Sequence, residues 1–121
     1  MDRRALGQAG ERLAAAHLEH KRYEILRRNV YSAQGEIDLI TRAPDGTIVF
    51  VEVRTRRGAA AADEAAASVD ERKQRRMYEL AANYLAEHAA EADARIDVVT
   101  VALSAEGMVS SVAHYENAVE G

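Results

Sequence analysis

The chain has 121 residues, no cysteine and a formal net charge of −4. That length suits one domain around one core, and the lack of cysteine excludes a disulfide framework and a thiolate zinc site. Only His17, His20, His88 and His114 offer imidazoles, and no apolar run reaches transmembrane length, so a histidine metal centre is disfavoured and a cytoplasmic protein is expected.

Residues 4–21 predict a helix, with Leu6, Ala9, Leu13, Ala16 and His17 recurring at three and four and Leu18 beside them. Gly7 and Gly10 weaken its first turns, and suit either a close approach to a neighbour or an irregular start. Residues 24–31 and 36–42 read as two strands joined by Ser-Ala-Gln-Gly. The only proline and an Asp-Gly pair, in "APDGT" at 43–47, then mark a turn. Residues 48–54 form a third strand, and its continuous apolar run suits a central position. Residues 55–67, "TRRGAAAADEAAA", carry no apolar stripe and predict a mobile loop, helical in part at most. Ser68 and Glu71 fit a capping box. The helix after them, 69–89, turns Val69, Met77, Leu80, Ala81, Tyr84 and Leu85 to one side. A buried strand at 95–103 follows, parallel to the third strand through a right-handed crossover. An alternating edge strand at 108–116 ends the order α-β-β-β-α-β-β in a single domain, 1–121.

The charge is unevenly spread. Residues 1–57 hold 11 basic and 8 acidic residues, net +3, and residues 58–121 hold 5 and 12, net −7. Within the basic half, two acids stand where strands should be apolar: Asp38 in "GEIDLI" and Glu52 in "IVFVEVR". Side chains alternate along a strand, so Ile48, Phe50, Glu52 and Arg54 share one face and Val49, Val51 and Val53 the other. A hairpin about Asp45-Gly46 places Asp38 opposite Glu52 and Ile40 opposite Phe50, with Ile37 and Leu39 facing away. Two adjacent carboxylates repel, and either a divalent cation or an arginine such as Arg54 relieves that. Glu11 offers a third carboxylate, or is a solvated helix-surface acid. Glu36 shares the Asp38 face but lies too far along the strand to count as a ligand. Arg72, Lys73, Arg75 and Arg76 crowd the first turns of the second helix, where positive charge opposes the helix dipole unless a phosphate or Asp70 and Glu71 offset it.

The segments "GQAGERLAAAHL", "RRNVYSAQGEIDLI", "FVEVRTR", "AANYL" and "RIDVV" occur in order along nearly the whole chain. Together they resemble the UPF0102 (YraN-like) family, which is similar to Holliday-junction resolvases and the wider PD-(D/E)xK nucleases. The resemblance implies a restriction-endonuclease-like α/β core, a mixed central sheet flanked by helices. It implies that Asp38, Glu52 and Glu11 bind Mg²⁺ or Mn²⁺, with the Val53 carbonyl as a further ligand, and that the metal activates water for phosphodiester hydrolysis. Arg54 stands where the superfamily has lysine; it can stabilise a phosphate but not act as a base, and Lys73 is the alternative ammonium. Gln74 and Tyr78 match a Q-x-x-x-Y pattern of RecB-like nucleases, although Tyr78 also suits the core.

The implied function is a metal-dependent endonuclease on DNA, including branched or junction structures, with Glu11, Asp38, Glu52 and Arg54 catalytic. Arg27, Arg28, Arg56, Arg57, Lys73, Gln74 and Arg76 are candidates to contact nucleic acid, and few aromatics are available for base stacking. The alternative is a nucleic-acid-binding module with weak or lost catalysis, which Arg54 favours. A protein-interaction domain using the acidic second half is a third reading. A homodimer fits the resolvase resemblance.

Overall fold

The first helix, α1 (Arg3–His20), is capped by Asp2, whose carboxylate accepts from the Ala5 N–H at 2.8 Å. The computed structural model describes residues 2–33, 35–67 and 71–119; the side chains of residues 67, 71–73 and 119 are not among the described parts. After α1 come β1 (Glu24–Ser32), β2 (Gly35–Arg42), β3 (Ile48–Arg57), α2 (Ala61–Ala67), α3 (Glu71–His88), β4 (Ala94–Leu103) and β5 (Val109–Val119). The five strands form one mixed sheet in the order β1-β2-β3-β4-β5. β3 and β4 are parallel and the other neighbours antiparallel. This is the mixed α/β sheet flanked by helices that the sequence implied, with the expected β3–β4 crossover.

Of the stretch 55–67, read as a loop helical in part, residues 55–57 extend β3 and Ala61–Ala67 form α2. β3 continues to Arg57, because β4 is long enough to pair with it as far as Arg57–Leu103. Beyond Gly58, α2 buries Ala61 and Ala65. A short alanine-rich helix shows no stripe in sequence because alanine is small on every side. The capping box at Ser68 and the apolar contact from Val69 fall on residues outside the described ones.

Two apolar layers sandwich the sheet. On one face Ala14, Ala15 and Leu18 of α1 pack on Leu39, Val49, Val51, Val53, Val99 and Val101. On the other, Met77, Leu80 and Ala81 of α3 pack on Ile37, Ile40, Ile48, Phe50 and Ile96. The alternation assigned to β3 therefore holds. The buried side of α1 differs from the expected stripe: Gly10, Ala14, Ala15 and Leu18 are buried while Ala16 is exposed. Gly10 explains the choice. A Cβ there would lie 1.8 Å from Thr55 Oγ1, so the glycine lets α1 rest directly on β3, and this contact sets the phase of the helix.

The β2–β3 hairpin turns as expected, with Ala43 N–H donating to the Thr47 carbonyl and Gly46 at φ 92°. Leu39 pairs with Val51 and Ile40 with Phe50. Ile37 departs from expectation: it joins Ile40 in the α3 layer, whereas Leu39 lies in the α1 layer. The paired ladder ends at Leu39–Val51, and beyond it β2 no longer keeps the regular alternation.

Candidate functional site

Where β2 and β3 part, Asp38 replaces a ladder bond with a side-chain bond: its Oδ2 accepts from the Val53 N–H at 2.8 Å. A cleft of about 690 Å³ opens there, between α1 and α3. α1 contributes Glu11, β2 contributes Glu36 and Asp38, and β3 contributes Glu52, Arg54 and Arg56. Arg3 and Arg76 also line it.

Among the described residues, Glu11, Glu36 and Asp38 each bring a carboxylate oxygen within 4.8 Å of the others. Glu36, set aside in the sequence reading as too far along the strand, thus belongs to the cluster beside Asp38, whose face it was expected to share. Asn29 holds two of the three. With its amide nitrogen turned to the acids, it donates to Glu11 Oε1 at 2.7 Å and Glu36 Oε1 at 2.8 Å. Asn29 is in β1 at φ 50°, a left-handed conformation asparagine tolerates better than most residues. Nothing in the sequence marked it, since a lone asparagine in "RRNVY" has no spacing signal.

The acids are electrostatically crowded. Burial and then the neighbouring Glu52 push the Asp38 carboxyl up to about 8, with Glu11 and Glu36 adding to the rise and the Val53 hydrogen bond opposing it. Glu11 is also raised, by burial and by Glu36, against the pull of Asn29 and Arg28. Glu52, 7% exposed, forms an ion pair with Arg54. The arginine pairing weighed from the sequence therefore holds for Glu52, while the other three acids gather without it. Arg54 Nε is buried and has no hydrogen-bond partner among the described residues.

The other candidates separate by position. Arg56 and Arg76 line the cleft, and the Arg56 guanidinium donates to the Thr55 carbonyl at 2.8 Å. Arg28 is exposed on β1 and lowers the Glu11 pKa through its charge. Arg27 lies in a neighbouring groove. Arg57 is drawn away to the β4–β5 turn, where Nε donates to the Ala105 carbonyl at 2.8 Å. Gln74 is half-buried and Tyr78 is 50% exposed, so Tyr78 does not fill the core. The Lys73 side chain is outside the described residues. Arg3, which the sequence reading passed over, reaches the cleft because α1 begins beside it.

The profile of the uncharacterised protein family UPF0102 matches residues 10–101, a span that includes Glu11, Asn29, Glu36, Asp38, Glu52 and Arg54. A UPF0102 protein of Cupriavidus pinatubonensis is 47% identical over 98 residues, covering 81% of this chain and 76% of its own. One from Roseiflexus castenholzii is 42% identical over 120 residues, covering 98% and 95%, and one from Corynebacterium efficiens is 41% identical over 121 residues, covering 99% and 96%. Among solved structures, an EndoMS-dsDNA2 complex gives a TM-score of 0.47 at 17% identity, over 74% of this chain and 34% of that one. SfsA of Pyrococcus furiosus in complex with Ca²⁺ gives 0.39 at 16%, over 99% and 66%. Likenesses this distant transfer no function. The relatives align along nearly the full chain and the profile runs from α1 into β4, so this protein belongs to the UPF0102 family.

Proposed function

We propose that the protein is a divalent-metal-dependent endonuclease that hydrolyses DNA phosphodiester bonds, with branched or junction structures among its substrates. One observation carries the reading: three carboxylates from two elements converge within 4.8 Å in a cleft that also holds arginines. The donor set fits Mg²⁺ or Mn²⁺. Both ions favour oxygen ligands and bind through one or two carboxylates plus substrate oxygens, and the raised Asp38 pKa marks negative charge that a cation would relieve.

Glu11, Glu36 and Asp38 would hold the cation, with Asn29 fixing the rotamers of the two glutamates. When bound, the ion supplies an electrophile for the phosphate and lowers the pKa of a water molecule. Arg54, Arg76 and Arg3 offer charge to a phosphate, and Glu52 holds the Arg54 guanidinium in place. Arginine remains protonated throughout, so Arg54 serves in binding and charge stabilisation and not as a base.

A second reading keeps the DNA binding and drops efficient cleavage. The Glu52–Arg54 pair favours it, since it withdraws one acid from the metal and one cation from the substrate. Cleavage of single-stranded, duplex, flapped and four-way-junction DNA with Mg²⁺ or Mn²⁺ tests both readings. The nuclease reading expects cleavage that Asp38→Asn and Glu36→Gln reduce by about a hundredfold or more. Cleavage unaffected by Asp38→Asn would sink it. Salt-sensitive binding without cleavage, converted to cleavage by Arg54→Lys, supports the second reading.

A further inference from the structure

Next to the acidic cleft, β1 and α3 enclose a groove of about 450 Å³ that the proposed chemistry leaves unused. Leu80 lines both cavities, so they share a wall. The sheet register makes the adjacency tighter. Tyr31 of the groove is the direct cross-strand partner of Glu36 of the acid cluster, and Ser32 is the partner of Gly35. Directly opposed residues have Cα atoms only about 4.5–5.5 Å apart.

The groove is aromatic where the cleft is charged. Tyr31 is 72% exposed, an unusual state for a large ring with no bonded partner among the described residues. On the α3 side, His88 stacks on Tyr84 with centroids 4.3 Å apart and planes at 16°. Tyr84 in turn meets Phe50 of the core edge-on at 5.7 Å, so this aromatic wall is anchored to the sheet. Arg27 adds a cation at the groove and Glu87 an acid. Tyr31 and Tyr84 line the groove and Phe50 backs it, so a role for stacking that the composition argued against becomes available.

We propose that this groove takes an unpaired nucleobase of the nucleotide flanking the phosphate held in the cleft, with Tyr31 as its stacking platform and Arg27 contacting the adjoining backbone. A flat π-face with a cation nearby suits a base joined to a phosphate chain, and every base can stack on tyrosine whatever its sequence. A paired base inside a duplex is already stacked and must be pulled out at a cost. The proposal therefore assigns a substrate class: nucleic acid with at least one unpaired base next to the reacting phosphate. It rests on the nuclease reading and adds the choice of substrate to it.

Fluorescence anisotropy with the full chain, with Ca²⁺ in place of Mg²⁺, tests the idea on three labelled probes. These are a 12-nucleotide single strand, its fully paired duplex, and a 12-unit strand of abasic spacers. The wild type should bind the base-bearing single strand more tightly than either of the others. Tyr31→Ala should weaken that binding about 5- to 100-fold, Tyr31→Phe should retain it, and binding of the abasic strand should not respond to either change. Equal loss on base-bearing and abasic strands, or tightest binding of the duplex, overturns the proposal. If Mn²⁺-dependent cleavage depends on Asp38 but no binding depends on Tyr31, only this inference fails. If no probe binds and none is cleaved, the nuclease reading fails with it.

Discussion

Asp38 is held by two opposed effects. The Val53 N–H stabilises its carboxylate, while burial and the charges of Glu52, Glu11 and Glu36 oppose ionisation more strongly and raise its pKa from 3.8 to about 8. A carboxyl with a raised folded pKa binds more protons folded than unfolded between those two values. Stability of the metal-free protein should therefore fall as pH rises from about 4 to 8 and level off above. Thermal melts between pH 5 and pH 9 in a chelator should show that decline, and Asp38→Asn should flatten most of it. Mg²⁺ or Mn²⁺ should raise the melting temperature more at pH 8 than at pH 5, because the cation competes with the proton for the same oxygens. A metal-induced rise that persists unchanged in Asp38→Asn would place the cation elsewhere.

At the scale of elements, the site depends on how α1 lies on β3. A methyl group at Gly10 would meet Thr55 Oγ1 at 1.8 Å, Cβ at 2.8 Å and Cγ2 at 2.9 Å, so the helix itself would have to move. Gly10→Ala should cost about 1–3 kcal/mol or more and weaken metal binding by displacing the adjacent Glu11. Gly7 has nothing within 4 Å of its notional Cβ. Gly7→Ala should therefore stabilise the helix by up to about 1 kcal/mol, and chemical denaturation of the two variants reads the contrast. The β4–β5 side of the sheet is tied by a polar network. Asp97 of β4 is fully buried and accepts from His114 at 2.7 Å, the Asn117 N–H at 2.9 Å and Arg95 at 3.1 Å. Lys21, just past α1, reaches the other nitrogen of His114 at 2.9 Å, and Arg95 also donates to Tyr23. Burial alone would raise the Asp97 pKa, but the bonds from His114, Asn117 and Arg95 outweigh it and hold the group below its usual value. Its stabilising contribution is present above the ordinary carboxylate range and is lost as pH falls through the depressed value. Asp97→Ala should cost about 3–5 kcal/mol near neutral pH, since it strands the partners of a buried pair. A loss under 1 kcal/mol by urea denaturation would show the network to be dispensable.

For the molecule as a whole, a net charge of −4 conceals a first half, residues 1–57, that carries net +3. Arg3, Arg56 and Arg76 line the cleft and Arg28 stands near Glu11. Four phosphate contacts would give a log–log salt dependence of DNA affinity with a slope of about −3 to −4. A slope near zero in titrations from 50 to 300 mM salt would remove the cleft from DNA binding. Much of this architecture was legible in the chain. Periodicity located α1, α3 and the five strands, and the Asp-Gly turn set the β2–β3 register, because a two-residue period leaves little choice once one face is apolar. No helix among the described residues is long and apolar enough to cross a membrane. Local sequence could not resolve which side of α1 is buried, since alanine fits anywhere and only contact with Thr55 selects the Gly10 side. It could not place α2 for the same reason. The site was half legible: Glu11, Asp38, Glu52 and Arg54 stood out as one group and do line one cleft, but the parts of Glu36 and Asn29 did not. Glu36 joins the cluster, and Asn29, left-handed at φ 50°, bridges it to Glu11, while Glu52 turns to Arg54. The sequence by itself determined the order of elements and the supply of acids and arginines, both of which follow from local propensity and pattern. Only the tertiary structure decided which acids meet and that an exposed tyrosine stands beside them, because those distances depend on where strands diverge and how closely a helix can approach.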